Sequence, residues 1–336
     1  MNNDYSSPLL TAETKALLVS IGSVRVERAL LPASRGSTAG PGVGLKSVFF
    51  KSGERKVRLF VDNDSPLSIH AVGLEKGMVE LRRGKETLAL GTIEQALAHC
   101  PKQAFVTLSE KCIFDCKYCA VPKSQGRVKT DAEILQLIEE VYRKGELEAI
   151  SVTSGVEESV EAEVQRVLKL LPSLKAYNVP IGVSVYPTEG CSALFRDAGV
   201  SEVKYNIETM DPGIFRQVCG GLSQAYILEQ LEDAVDVFGK NRVFTNFIIG
   251  LGESDGCVEK GIEKLASFGV IPLLRPVNPH PLRKGDCFME RPSPERLLKL
   301  AEVEKEVLAR YGLNPALAKT MCPKCTGCDL VPFVDV

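Results

Sequence analysis

The sequence predicts a mixed α/β protein: an open, partial (β/α)6 barrel of TIM-like type, with a small β-rich N-terminal region and a cysteine-bearing C-terminal tail. Three observations predict it. From about residue 103 six apolar segments alternate with amphipathic ones; before residue 100 the apolar residues instead alternate with period two around short turns; and six of the 11 cysteines fall in two tight clusters. A chain of 336 residues is long enough for one large domain with smaller attachments. The expected division is 1–100, 101–312 and 313–336. Lys+Arg 41 against Asp+Glu 43 leaves a net charge of -2, so no basic field advertises nucleic acid or an anionic membrane. The apolar run 16–24 is far shorter than the roughly 20 residues that span a bilayer, and acidic Asp4 and Glu13 precede it, unlike a secretory leader. An odd number of cysteines in a long chain does not suit a secreted disulfide framework, so a cytoplasmic location is expected.

Within the first 100 residues, segments 48–51 and 57–61 flank Ser-Gly, and 78–82 and 87–90 flank Arg-Gly; both pairs read as β-hairpins. Gly- and Ser-rich residues 33–44 read as a loop. Its end superficially suggests a phosphate loop, but Leu45 separates Gly44 from Lys46, whereas phosphate cradling needs Gly-Lys adjacent after a strand. Beyond 103, strands are expected over 104–108, 149–153, 181–186, 203–207, 243–249 and 270–274. Helical faces fall between them: Ile134, Leu135, Leu137, Ile138 and Val141; Val160, Val164, Val167, Leu168 and Leu171; Leu228, Leu231, Val235 and Phe238. A last helix runs from Ser293 to about Arg310. Six strand–helix units make an open barrel rather than a closed eightfold one, with chemistry expected in the loops after the strands.

The loop after the first of these strands reads Cys112-Ile-Phe-Asp-Cys116-Lys-Tyr118-Cys119. Three thiols in so short a loop can each serve one iron of a four-iron cube, leaving the fourth iron without a protein ligand. A structural zinc site wants four closed tetrahedral ligands, and the nearest further candidates, His99 and Cys100, lie upstream of the strand. This loop resembles the Cys-x3-Cys-x2-Cys motif, with an aromatic before the last cysteine, of the radical S-adenosylmethionine (radical SAM) superfamily. The resemblance implies a 4Fe–4S cluster on Cys112, Cys116 and Cys119 whose open iron chelates S-adenosyl-L-methionine. It also implies reductive cleavage to a 5′-deoxyadenosyl radical that abstracts hydrogen from an unactivated carbon.

Further matches follow strand by strand. Thr153-Ser154-Gly155-Val156 stands where the family has a Gly-Gly-Glu-like turn for the S-adenosylmethionine amino group; Val156 departs from the family's acid. Tyr205-Asn206-Ile207-Glu208-Thr209 is similar to the strand end of biotin and lipoyl synthases in which Asn and the acid contact ribose or methionyl groups. Arg216, in a segment similar to one of lipoyl synthase, is implied as partner of the methionyl carboxylate. Asn246-Phe-Ile248-Ile-Gly250-Leu-Gly-Glu253 matches the adenine-binding strand, with Asn246 in place of the family's first Gly; Ile248 can equally be plain core and Glu253 can face solvent.

The tail carries Cys322-Pro-Lys-Cys325-Thr-Gly-Cys328. This spacing suits an iron–sulfur cluster, and the expectation is a second, auxiliary 4Fe–4S cluster, with a zinc knuckle as the rival. The fourth ligand is open among Cys287, Asp329, a serine and an exogenous group, and the tail is expected to lie over or beneath the barrel mouth. Cys100, Cys191, Cys219, Cys257 and Cys287 taken singly read as small buried hydrophobes. His70, His99 and His280 read as surface or core residues, with His280, Arg275 and Asn278 sharing the sixth strand end.

The resemblance extends over roughly 103–330 and runs toward biotin and lipoyl synthases, more narrowly toward a subunit of the archaeal two-protein lipoyl synthase. It implies sulfur insertion from the auxiliary cluster into an octanoyl chain carried by a lipoyl-domain or acyl-carrier protein or a peptide. Implied partners are a second radical SAM subunit and an electron donor such as ferredoxin, with no nucleic acid or membrane. Rival readings are a radical peptide or protein maturase and, outside enzymes, an iron–sulfur carrier or electron-transfer protein.

Overall fold

The computed structural model describes residues 8–31, 40–72, 77–96 and 98–336. The N-terminal part begins with α1 (Ala12–Ile21), started by the Thr11 hydroxyl accepting from the Thr14 amide. Six short strands follow: β1 (Ser23–Val26), β2 (Ser47–Ser52), β3 (Arg55–Val61), β4 (Leu67–Ala71), β5 (Met78–Arg83) and β6 (Glu86–Glu94). They close into a barrel in the order β1-β3-β2-β6-β5-β4. The two hairpins read from the sequence are present as β2/β3 and β5/β6. Their turns use Gly53 (φ +58) and Gly84 (φ +62), a conformation that costs glycine nothing sterically. Closure comes from β1, which pairs in parallel with both β3 and β4. A four-residue strand with distant partners carries no local alternation to betray it. Alternate residues Val57 and Leu59, and Val79 and Leu81, point into the barrel core. Of the expected loop, 33–39 lie outside the described residues. Gly40–Gly42 forms a 3-10 turn and the chain then enters β2, not a helix, so no phosphate loop is built there.

The second part is a seven-stranded sheet in strictly sequential order: β7 (His99–Cys100), β8 (Gln103–Thr107), β9 (Ala149–Thr153), β10 (Ile181–Ser184), β11 (Glu202–Lys204), β12 (Val243–Ile249) and β13 (Ile271–Pro276). β8 to β13 are parallel, and β7 is an antiparallel edge folded back on β8. The helices are α2 (Asp131–Tyr142), α3 (Val160–Lys175), α4 (Cys191–Asp197), α5 (Pro212–Val218), α6 (Gln224–Phe238), α7 (Asp255–Phe268), α8 (Pro294–Tyr311) and α9 (Met321–Cys325). All six expected strands exist, as an open half-barrel. β11 stops at Lys204, the partner of β10's last residue Ser184, short of the expected 207, because its continuation leaves the ladder: the Ile207 amide donates to the Thr245 hydroxyl, and Glu208 takes φ +62. Serine and threonine N-caps start α2, α3, α6, α7 and α8, the last at Ser293 as the sequence suggests.

The tail runs beneath the half-barrel. Glu202, at the start of β11, accepts from the Lys319 and Thr320 amides and the Thr320 hydroxyl. Gln103, at the start of β8, donates to the Met321 carbonyl, and the Met321 amide donates to Ser151. Gly182 must lack a side chain, since a Cβ there would lie 2.2 Å from Thr320 Oγ1. The stretch 319–321 that leads into α9 therefore crosses beneath four strands, at the end opposite the loop of Cys112. Among the described residues no helix is long and apolar enough to cross a membrane.

Candidate active site

The loop after β8 is fixed by its own backbone. Ser109 accepts from the Lys111 amide and donates to the Lys111 carbonyl; the Ile113 amide reaches the Val156 carbonyl and the Lys117 amide the Val218 carbonyl. Arg283, fully buried, donates to the Cys119 carbonyl and pairs with Asp115 at 2.6 Å, bracing the loop from the segment after β13. Cys112, Cys116, Tyr118 and Cys119 all line one cavity of about 340 Å3. Burial pushes the Cys119 thiol up to about 12 and raises Cys112 as well. Cys116 is lowered, chiefly by a hydrogen bond from Cys219 at the C-cap of α5. Cys219 is not among the cavity-lining residues. Three thiols thus face the cavity and a fourth lies behind the loop.

The strand ends complete the wall. Thr153, Ser154, Gly155, Asn206, Glu208, Asn246 and Ile248 all line the same cavity. Gly155 is required there, because a Cβ would lie 2.2 Å from the Lys111 carbonyl oxygen. The Ser154 hydroxyl accepts from the Ser109 amide and donates to buried Glu163, so it holds the turn. Val156 contributes its backbone carbonyl to the cysteine loop, a job indifferent to its side chain. Glu208 is buried, and desolvation pushes its carboxyl up to about 7 against the opposing pull of Lys204 and hydrogen bonds to Tyr118 and Asn206. Its φ of +62 is a left-handed conformation unusual for a residue with a side chain, held by pairing with Asn246 and Ile248 on β12. Among the described residues the buried Asn246 Oδ1 has no hydrogen-bond partner, an acceptor left over at the cavity wall.

Two sequence-derived contacts are corrected. Arg216 is exposed on α5, whose buried face is taken by Phe215 and Val218, and it does not line the cavity. Gly250 (φ +111) sits where a Cβ would meet the Glu290 carbonyl at 2.1 Å, and its role is backbone packing outside the cavity. Glu253 neither faces solvent nor reaches the cavity: it is buried, accepts from the Gly250 and Leu251 amides, and pairs with Arg296 at 3.0 Å. His280 is buried on the Val43 carbonyl and the Leu282 amide.

The tail cysteines belong to the same space. Cys322 and Cys328 line the large cavity, together with Lys204 and Arg275. Arg275 Nη2 lies 3.1 Å and Lys204 Nζ 3.7 Å from Cys322 Sγ. A second, much smaller cavity is lined by Cys322, Cys325, Cys328 and Cys100. Cys100 hydrogen-bonds to Cys325 and pulls that thiol down to about 7, while its own is raised well above the ordinary range, first by the same bond and then by burial. From the sequence Cys100 reads as a small buried hydrophobe, too far upstream to serve the loop of Cys112, and it is not among the tail candidates. The signal that points to it is its place on an edge hairpin beside β8, whose far end the tail underlies. Of the earlier fourth-ligand candidates, Asp329 is engaged with Arg275 at 3.0 Å. Cys287 follows Asp286, which pairs with Lys123 and Arg283 near the first loop.

Residues 106–265 match the model of the radical SAM superfamily. Residues 106–265 form a radical SAM domain. The chain is 22% identical over 54% of its length to the probable GTP 3′,8-cyclase of Sulfolobus acidocaldarius, covering 56% of that protein. It is 26% identical over 49% of its length to the ribosomal protein uS12 methylthiotransferase RimO of Sulfurimonas denitrificans, covering 40% of it. The chain thus spans about half the length of the relatives it matches. The FeFe-hydrogenase maturase HydG of Carboxydothermus hydrogenoformans shares the fold at TM-score 0.50 and 16% identity, over 63% of this chain and 52% of that one. The matched stretch starts inside β8 and ends in α7, so the N-terminal barrel and the tail lie outside the match.

The residues fit the groups the family implies. Three thiols on one short loop suit a cube with one iron free, and the leftover Asn246 acceptor, Glu208 and Asn206 suit a polar ligand beside it. At the tail, a buried ammonium and a guanidinium aimed at a thiol suit a cluster of net negative charge. Among the described residues no three His, Cys, Asp or Glu converge around a position for one metal ion. A cube does not ask for that, since each thiolate binds its own corner.

Proposed function

We propose that this chain is a radical SAM enzyme that inserts sulfur at an unactivated C–H bond of an aliphatic acyl chain, in the manner of lipoyl synthases. One observation carries the reading: a single cavity is lined by the three loop thiols at the top of the half-barrel and by Cys322 and Cys328 beneath it. A 4Fe–4S cluster with S-adenosylmethionine would supply a 5′-deoxyadenosyl radical, and an auxiliary 4Fe–4S cluster would supply sulfide. The chain's own residues do the positioning. Cys112, Cys116 and Cys119 hold the first group; Asn206, Glu208 and Asn246 offer acceptors for the amino and hydroxyl hydrogens of the nucleoside and methionyl parts. Tyr118, Ile248, Val277 and Phe60 line the space between and help exclude water. Lys204 and Arg275 offset the charge at the tail thiols. An octanoyl group on a carrier protein or peptide is the substrate that suits this reading, with a ferredoxin-type reductant; the methylthiotransferase among the relatives is a sulfur-transferring precedent by name.

The test is anaerobic reconstitution, reduction and incubation with S-adenosylmethionine and an octanoyl-lysine peptide. Release of 5′-deoxyadenosine, with loss of sulfide and iron as thiolated product forms, is expected. No 5′-deoxyadenosine overturns the enzyme reading. Its release with the auxiliary sulfide intact overturns sulfur insertion and favours a maturase.

A further inference from the structure

We propose that Cys100 is the fourth protein ligand of the tail cluster, making it an all-cysteine site of Cys100, Cys322, Cys325 and Cys328. This rests on the reading that the tail holds a 4Fe–4S cluster.

Four independent features place Cys100 there. It shares the small cavity with all three tail cysteines, 2% exposed, and hydrogen-bonds to Cys325. Cys100 and Cys325 pack with Phe49 and Ala96 in a hydrophobic cluster separate from both domain cores, so neither thiol is there to fill a larger core. The backbone is bent to present these thiols. Of the eight non-glycine residues at positive φ among the described residues, four flank the cysteines: His99 (+75), Lys102 (+59), Met321 (+58) and Thr326 (+57). Such conformations are costly for residues with side chains and persist where function holds them. Finally, the loop is clamped on the N-terminal barrel: the Arg58 amide donates to the Gly327 carbonyl at 2.6 Å, and a Cβ on Gly327 would come within 2.8 Å of Phe49.

The assignment has a chemical consequence. Four thiolates leave no iron of the tail cluster open, so a substrate meets it through the sulfides on the side lined by Cys322 and Cys328, not by binding an iron. It also joins the segment before β8 to the segment after α8 through one cofactor. A ligand from solvent or substrate is unnecessary.

The experiment is anaerobic reconstitution of the full-length wild type, Cys100→Ala, Cys100→Ser and Cys287→Ala, read by iron and sulfide content and by EPR after mild oxidation. Wild type and Cys287→Ala are expected to hold about eight irons. Cys100→Ala is expected to hold about seven or fewer, with a three-iron EPR signal on oxidation larger than the one that the open corner of the loop cluster gives in wild type. Cys100→Ser, nearly isosteric, is expected to keep the fold and shift the auxiliary signal. Wild-type iron content and spectra in both Cys100 variants overturn the proposal. A Cys322→Ala/Cys325→Ala/Cys328→Ala chain that still holds wild-type iron, or zinc taken up stoichiometrically at the tail, overturns the cluster reading beneath it. These outcomes are distinct, because the first leaves eight irons lost only with the triple variant.

Discussion

Glu208 shows what a single side chain does when backbone and burial both constrain it. Its carboxyl is pushed up to about 7 by desolvation, from an ordinary value near 4.5. A folded protein that binds this proton more tightly than the unfolded chain draws stability from it below about pH 4.5, and loses that contribution as pH rises to 7. The full swing is on the order of 3 kcal/mol. Glu208→Gln is therefore expected to flatten the fall in melting temperature of the metal-free protein between pH 5 and pH 8. The same variant, reconstituted, is expected to keep its iron while 5′-deoxyadenosine formation drops at least tenfold, because an acceptor at the cavity wall becomes in part a donor. Equal iron and equal activity would mean the carboxyl merely fills the strand end.

At the scale of elements, the decisive arrangement is α5 behind the cysteine loop. Cys219 touches Cys116 but not the cavity. Cys219→Ala is expected to retain about four irons at the loop and the spectral shift that S-adenosylmethionine produces on an open iron, whereas Cys116→Ala loses both. If Cys219→Ala alone abolishes the cluster, the loop has four ligands and no open corner. Strands, helices and the Cys112, Cys116, Cys119 motif were legible in the sequence because each is a local pattern: an apolar run, a three-to-four-residue spacing, three thiols in eight positions. That Thr153, Ser154, Gly155, Asn206, Glu208 and Ile248 line one cavity was legible from their order at successive strand ends. What stayed hidden was non-local. β1 joins the N-terminal barrel only through β3 and β4, Arg216 has a motif-like spacing but an outward helical position, and Cys100 reaches its partners across more than 200 residues of chain.

Across the whole molecule, the tail ties the two halves together. Lys15 of α1 and Asp335 form a fully buried pair at 2.6 Å, and Lys15 also donates to the Thr326 carbonyl. Breaking one partner of such a pair strands the other charge, at a cost of about 3–5 kcal/mol. Lys15→Ala is expected to lower the melting temperature by several degrees and to shed the tail iron while the loop iron stays. A lower melting temperature with both sets of iron intact would detach the pair from cofactor binding. The contacts between Cys116 and Cys219 and between Cys100 and Cys325 carry a hazard of their own. Each is a pair of thiols in hydrogen-bond contact, so oxygen has two ready places to form a disulfide. Air-purified chain is thus expected to show about four fewer titratable thiols than its 11 cysteines, and to regain its capacity for iron only after a reductant has reopened both bonds.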